Sequence, residues 1–159
     1  MQYRLMEIGD EKTFHRLATD EHIRRYLLDG EIVDVAWCRA EIERSEQLHE
    51  QGVGLWLVEL RGEPVGFIGY RVFEDLGPEP QLLYAFLERV TGRGLATQAA
   101  RWLVDVARRQ RWTRIVSAVD APNAASIRVL EKVGFRRTGS LPGAFGETYL
   151  YELTLPRFT

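Results

Sequence analysis

The segment Arg89-Val90-Thr91-Gly92-Arg93-Gly94-Leu95-Ala96-Thr97 separates an apolar run at 81–88 from a helical pattern that starts at Leu95. Two glycines at alternate positions let the backbone turn tightly and approach a ligand closely. The first N–H groups of a helix have no partners within the helix, and the helix dipole favours an anion beside them. A strand, a glycine turn and a helix in this order therefore predict a site for an anionic group such as a pyrophosphate.

Three other interpretations of this glycine segment compete with an anion site. A glycine-rich connection without a ligand would have the same sequence. The dinucleotide-binding fingerprint fits poorly, because Thr97 stands where a third Gly or Ala is required and because an antiparallel hairpin comes first. The phosphate loop of nucleotide hydrolases has four residues between its glycines, followed by Lys and then Ser or Thr, and this pattern is absent.

Apolar periodicity predicts the elements on either side of the segment. Helical spacing predicts one or two short helices in 10–28 and further helices at 34–50, 95–107 and 123–133. Apolar and alternating runs predict strands at 3–8, 55–60, 65–72, 81–88, 114–119, 135–139 and 147–155. The resulting order is β-α-α-β-β-β-α-β-α-β-β. An antiparallel meander followed by one β-α-β crossover predicts an α/β fold with a mixed sheet, in a single domain over residues 1–159.

Composition narrows the class of protein. The chain has 159 residues, of which 45% are hydrophobic and 28% charged, as in ordinary globular domains. One cysteine, Cys38, excludes an intrachain disulfide and a multi-thiolate site, and three histidines leave little for a metal centre, so we expect no metal. No apolar run approaches the ~20 residues that cross a bilayer. Acidic residues stand at the N-terminus where a signal peptide would be apolar, so we expect a cytoplasmic protein without a membrane partner.

Charge is distributed unevenly along the chain. Residues 89–137 hold eleven Arg and Lys against three acidic residues, a net charge of +8; since the chain carries −2, the remainder carries −10. This asymmetry favours an anionic ligand at one part and a cationic one at another, although solvated Arg-rich helix faces would give the same count. The basic run at 108–111 has no interleaved aromatic residues, so nucleic acid is not expected as a partner.

A second informative segment is Asp120-Ala-Pro-Asn123-Ala-Ala-Ser126-Ile-Arg-Val-Leu130-Glu-Lys-Val-Gly134-Phe135. A helix that is capped by Asn123 and ended by Gly134 accounts for much of it. Together with residues 89–97, however, it resembles the GNAT superfamily of acetyl-CoA-dependent N-acetyltransferases. The first segment is similar to the pyrophosphate signature of that superfamily, Arg/Gln-x-x-Gly-x-Gly/Ala. Both segments and the hairpin at 56–70 look like the RimJ/RimL-type branch that acetylates ribosomal-protein N-termini.

The resemblance implies a GNAT-like fold whose central strands splay apart and hold acetyl-CoA between them. It implies that the pantetheine arm lies beside residues 87–91 and Asn123, and that amides of residues 92–97 hold the pyrophosphate. An amide near Leu87 would polarise the thioester carbonyl. The cofactor-binding residues expected on this basis are Leu87, Arg89, Val90, Gly92, Arg93, Gly94, Leu95, Ala96, Thr97, Asn123 and Ser126.

The resemblance also indicates which catalytic groups are present and which are missing. Much of the superfamily has a tyrosine acid where this chain has Leu130, and the resembled branch implies Ser126 as the acid instead. A serine bonded to a helix carbonyl is the alternative. Gln81 stands where the branch often has an acidic base. We expect Glu147 or Glu88 as substitutes, with solvated carboxylates and a base acting through water as the alternatives.

The function expected from the resemblance is direct transfer of an acetyl group from acetyl-CoA to a primary amine in a ternary complex. The net charge of −10 on the residues outside 89–137 suits a cationic acceptor. A peptide N-terminus, an amino acid, a polyamine and an aminoglycoside are the alternatives for that acceptor. Gln81 and Leu130 favour a different hypothesis, a non-catalytic acyl-CoA sensor or interaction module. A nucleic-acid-binding domain that uses residues 89–137 is a third hypothesis. An acyl-cysteine mechanism through Cys38 lacks an identifiable base, and a homodimer is one assembly that the sequence allows.

Overall fold

The computed structural model describes residues 1–72 and 78–157. The helices are α1 (Glu11–Ala18), α2 (Glu21–Leu27), α3 (Val35–Leu48), α4 (Leu95–Arg109) and α5 (Ala124–Val133). The strands are β1 (Gln2–Leu5), β2 (Gly54–Leu60), β3 (Glu63–Arg71), β4 (Gln81–Phe86), β5 (Arg114–Asp120), β6 (Arg136–Gly143) and β7 (Gly146–Thr154). They form one sheet in the order β1-β2-β3-β4-β5-β7-β6. Strands β4 and β5 are parallel and the other neighbours are antiparallel, which confirms the predicted mixed sheet.

The N-terminal half holds one helix more than the predicted order. Residues 10–28 form two helices, α1 and α2, which was one of the two alternatives left open. The break falls at Asp20, whose side chain accepts a hydrogen bond from the Ile23 N–H at 3.1 Å and so caps α2. The order in the structure is therefore β-α-α-α-β-β-β-α-β-α-β-β.

Both faces of the sheet are covered by helices. On one face, α4 and α5 pack on apolar residues of the sheet, including Ile68, Leu82 and Ile115. On the opposite face, Phe14 and Ile42 from α1 and α3 belong to a second core that also contains residues of β2, β3 and β4. Burial on both faces explains why β4 is almost continuously apolar instead of alternating.

The parallel strands β4 and β5 separate along their length. Their only paired position within the described residues is Gln81 opposite Val116, near the start of β4. Ser117 Oγ adds one hydrogen bond to the Leu82 carbonyl oxygen at 3.0 Å. Beyond this point the strands diverge, so that a wedge opens between Phe86 and Asp120 at their carboxyl ends. The predicted splay of the central strands is confirmed.

Candidate active site

A cleft of about 930 Å³ occupies the wedge between β4 and β5. Its walls also include the glycine turn, the first turn of α4, one side of α5, the end of α2 and the turn between β6 and β7. Ligand sites typically have roughly 300–1,000 Å³, so the cleft is large enough for a sizeable organic molecule. Ligands of open α/β sheets bind in such crevices at the carboxyl ends of strands.

The glycine turn presents a row of free backbone donors to this cleft. Gly92 and Gly94 both have φ of +77°, and Gly94 caps α4. Within the described part of the chain, the N–H groups of residues 92–97 have no hydrogen-bond partner, and regular bonding begins with Gln98 N–H to the Gly94 carbonyl at 3.0 Å. The predicted residues that line the cleft here are Gly92, Gly94, Leu95, Ala96 and Thr97. The turn has the geometry of an anion site at a helix start.

The two arginines of this segment lie outside the cleft. Arg89 is exposed, and its guanidinium pairs with the Glu63 carboxylate at 2.6 Å. Arg93 is also exposed and approaches the Arg89 carbonyl at 3.5 Å. Val90, between them, is buried against the core and reaches the cleft. Of Arg89, Val90 and Arg93, which were all predicted to bind the cofactor, only Val90 lies on the cleft wall.

The backbone N–H of Leu87 is used within the sheet. It donates to the Val65 carbonyl at 2.9 Å, so it is already engaged and does not point into the wedge. Because hydrogen-bonded positions alternate along antiparallel strands, the backbone groups of Tyr84 and Phe86 point away from β3 and toward the open wedge. Near Leu87, the N–H that faces the wedge without a partner on β3 is therefore that of Phe86, one residue earlier.

Ser126 is held in the cleft by two partners. The Asn123 side chain caps α5 and accepts a hydrogen bond from the Ser126 N–H at 3.2 Å. The Ser126 Oγ lies 2.7 Å from Tyr84 Oη, and the Ser126 carbonyl oxygen, a second possible acceptor for the same phenol proton, lies 3.2 Å from it. All three residues line the cleft. Burial raises the pKa of Tyr84 to about 12, against the opposing effect of its hydrogen bond to Ser126, so the phenol stays protonated at neutral pH.

Asp120 is a cleft residue that the sequence analysis did not select. It ends β5, is only 9% exposed, and its Oδ1 accepts a hydrogen bond from Thr148 Oγ1 at 3.2 Å. Burial raises the pKa of its carboxyl, as does the negative charge of Asp29, while the Thr148 hydrogen bond lowers it. Asp29 lines the same cleft. Two sequence features could have indicated these cleft residues. Asp120 is a lone acidic residue at the carboxyl end of an apolar strand, and Tyr84 has the single hydroxyl within an apolar run.

The two glutamates predicted as bases occupy the rim instead. Glu88 is exposed in a short 3-10 turn, and Glu147 is exposed at the start of β7. Neither lines the cleft. Gln81 does line it, at the closed end of the wedge, and is only 4% exposed. Its side-chain amide has no hydrogen-bond partner among the residues that the structure describes.

Two further sequence-based alternatives concern metals and Cys38. In the described ranges, no three His, Cys, Asp or Glu side chains come together as a metal site. Cys38 is fully buried in α3 and is not part of the cleft wall. Burial, followed by the charges of Asp34 and Glu41, raises the pKa of the Cys38 thiol to about 11. None of the helices described is long and apolar enough to cross a membrane.

Comparison with known proteins identifies the family. Residues 1–136 match the acetyltransferase (GNAT) domain. The chain belongs to the GNAT family. The uncharacterized N-acetyltransferase p20 of Bacillus licheniformis is 22% identical over 160 residues, covering 94% of this chain and 90% of that protein. The family predicted from residues 89–97 and 120–135 together is confirmed, and with it the prediction of an acyltransferase.

Solved structures of other acetyltransferases share the fold. The acetyltransferase YncA from Salmonella typhimurium, solved with acetyl-CoA, has a TM-score of 0.80 and 20% identity and covers 100% of this chain and 96% of its own. A Salmonella typhimurium acetyltransferase that modifies the N-terminal serine of ribosomal protein L7/L12 has a TM-score of 0.78 and 19% identity, covering 97% and 94%. The splayed sheet of this GNAT chain is thus the common fold of these proteins.

Proposed function

We propose that this protein transfers an acetyl group from acetyl-CoA to a primary amine. The observation that carries the proposal is the row of unpaired N–H groups at residues 92–97, placed at the mouth of the cleft between the diverging strands β4 and β5. Six donors at a helix start suit a diphosphate, and the wedge behind them suits a long, narrow arm. Membership of the GNAT family supports the same chemistry.

The residues of the cleft fit acetyl-CoA from one end to the other. The free amides of residues 92–97 would hold the pyrophosphate, with the side chains of Leu95 and Ala96 beside it. Val90 and Asn123 would flank the pantetheine arm, since both line the cleft between the glycine turn and Ser126. The Phe86 N–H, which points into the wedge, would donate to the thioester carbonyl and stabilise the charge that develops there.

Ser126 is proposed as the acid that protonates the departing thiolate of CoA. Tyr84 has one phenol proton, and its Oη lies 2.7 Å from Ser126 Oγ and 3.2 Å from the Ser126 carbonyl oxygen. We assign that proton to Ser126 Oγ in the reacting complex, which leaves the serine proton free to point at the sulfur. Because burial keeps Tyr84 protonated, this donor is available throughout the neutral range. Tyr84 is therefore a positioning residue. Ser126 and Tyr84 together would perform the role of the tyrosine acid that much of the superfamily has at the position of Leu130.

Two measurements test the proposal. Calorimetry with CoA should show binding, and acetyl-CoA with spermidine, kanamycin or a serine-initiated hexapeptide should release free thiol. Absence of CoA binding would refute the proposed function. Binding without thiol release from any of a broad set of amines would support the non-catalytic acyl-CoA sensor instead.

A further inference from the structure

The two faces of the wedge carry different chemistry. Ile115 and Val119 of β5 point into the core beneath α4 and α5, so Asp120 points to the opposite face, which is covered by α1, α2 and α3. On β4, Leu83 belongs to the core on that second face, and Gln81, two residues earlier, shares it. Asp120 and Gln81 therefore lie on the face opposite Tyr84.

This separation suits a displacement at a thioester held between the strands. The acid pair of Ser126 and Tyr84 lies on the α4–α5 face, where a departing sulfur could be protonated. A nucleophile would approach from the other face, where the cleft is bounded by α2 and the turn between β6 and β7. Asp120 stands on this side.

Two carboxylates, those of Asp120 and Asp29, lie on the side of the cleft that faces α2, and neither has a cationic partner among the described residues. Asp120 and Asp29 both line the cleft, and Asp29 is close enough for its charge to act on the Asp120 carboxyl. No Arg, Lys or His side chain of the described residues lies within ion-pair distance of either carboxylate; Arg25, on the same wall, lies over the ring of Tyr26 at 5.2 Å. Asp120 is buried and Asp29 is exposed, so the cleft offers a cationic ligand one shielded and one solvent-facing carboxylate.

Gln81 gives a second, independent indication of a ligand on this face. Its side chain is almost completely buried, lines the cleft and has no protein partner in the described ranges. The amide atoms are not sealed off from solvent, so they face the cleft and are free to bond a ligand there. A ligand that reaches the closed end of the wedge could supply the missing bond.

We propose that Asp120 and Asp29 bind the ammonium group of the acceptor, and that Asp120 takes the proton which this group loses before it attacks. The acceptor class is then a primary amine, protonated in solution, that carries a further hydrogen-bonding group able to reach Gln81. This inference rests on the proposed function and names a residue other than Glu147 and Glu88 as the base.

Protons and charge balance over the proposed step. One proton passes from the ammonium to the Asp120 carboxylate, and the neutral nitrogen forms a bond to the acetyl carbon as the carbon–sulfur bond breaks. The sulfur takes a proton from Ser126, and the second proton lost by the nitrogen restores the serine through water. Asp120 releases its proton to solvent. The sum is ammonium plus acetyl-CoA giving amide, CoA thiol and one proton.

The test compares Asp120→Asn with Asp105→Asn. Asparagine at 120 keeps an oxygen that can accept from Thr148, so the fold should be retained, as a melting curve would verify. Asp105 is an exposed residue of α4, paired only with Arg108 and remote from the cleft, which makes it a matched control. Hexylamine, spermidine, kanamycin and a serine-initiated hexapeptide are titrated into each protein with and without CoA, and thiol release is measured in parallel.

We expect at least one of the three polar amines to bind the wild type more tightly than hexylamine does. Asp120→Asn should weaken that binding at least tenfold and slow thiol release at least a hundredfold, while Asp105→Asn changes neither. The inference is overturned if no amine binds the wild type, or if Asp120→Asn binds and reacts normally. It is also overturned if Glu147→Gln, and not Asp120→Asn, abolishes thiol release. Amine binding that depends on Asp120 without any thiol release would refute the proposed function and the proton transfer to Asp120, and would support the ammonium site alone.

Discussion

Tyr84 Oη lies 2.7 Å from Ser126 Oγ and joins β4 to the first turn of α5 across the wedge. The contact ties together one wall of the cleft and holds the serine oxygen in place. Since Asn123 holds the Ser126 backbone at the same time, the serine is positioned from both sides. A hydroxyl held in this way is suited to proton transfer over a short, defined distance.

Replacing Ser126 by alanine should separate binding from turnover. Proton transfer by a positioned side chain typically contributes 10²- to 10⁴-fold, so we expect kcat of Ser126→Ala to fall by about a hundredfold or more. CoA affinity should stay within about twofold, because the backbone donors at residues 92–97 are untouched. Ser140→Ala, on exposed β6 and outside the cleft, is the control. Equal kcat values for the two variants would show that Ser126 is not the acid.

Replacing Tyr84 by phenylalanine should have a smaller effect on the same step. The ring remains packed and one hydroxyl is lost, so stability should fall by about 1 kcal/mol. We expect kcat to fall roughly tenfold, with KM for acetyl-CoA little changed, since Ser126 loses its orienting partner. Tyr3→Phe, on β1 beside Trp102, is the control, and its kcat should be that of the wild type. A normal kcat for Tyr84→Phe would remove the positioning role.

Removing the Cys38 thiol should leave acetyl transfer intact. The thiol is fully buried outside the cleft, and its pKa is raised to about 11. A group with this pKa is almost wholly protonated at pH 8, and only the thiolate is a good nucleophile. Cys38→Ala should therefore keep wild-type kcat and lose about 1 kcal/mol of stability. Iodoacetamide should modify the native wild type far more slowly than the urea-unfolded chain, and loss of kcat in the variant would favour the acyl-cysteine alternative.

Local patterns were sufficient to predict most of the elements. The helix at 124–133 was predictable because Asn123 caps it and Gly134, at φ of +110°, ends it within one short segment. The hairpin of β2 and β3 was predictable from Gly62, which takes φ of +78° at the turn. Each of these signals depends on residues that are close in sequence. The family resemblance then supplied the splay of β4 and β5, which no single segment indicates.

The cleft itself was only partly predictable. Tyr84 and Ser126 are 42 residues apart, and Asp120 and Thr148 are 28 apart, so each pair is formed by strand register and helix placement. The resemblance implies a polarising amide near Leu87, and hydrogen-bond alternation turns the Leu87 N–H toward β3 while it leaves the Phe86 N–H facing the wedge. Such alternation depends on which residues of two strands face each other, and the sequence does not give that register.

Replacing Gly94 by alanine should weaken CoA binding through the backbone alone. Gly94 has φ of +77° and an added Cβ would meet nothing within 4 Å, so the strain is conformational, about 1 kcal/mol. Relief of that strain would rotate the free N–H groups at the start of α4, and we expect the Kd for CoA, measured by calorimetry, to rise about tenfold.

Gly62 provides the matched control for this substitution. It has φ of +78°, its added Cβ also meets nothing, and it lies in the turn between β2 and β3, outside the cleft. Gly62→Ala should therefore lower the melting temperature about as much as Gly94→Ala does and leave CoA affinity unchanged. If both variants bind CoA like the wild type while both lose stability, the donors at residues 92–97 do not hold the pyrophosphate, because their displacement would have no effect on the ligand.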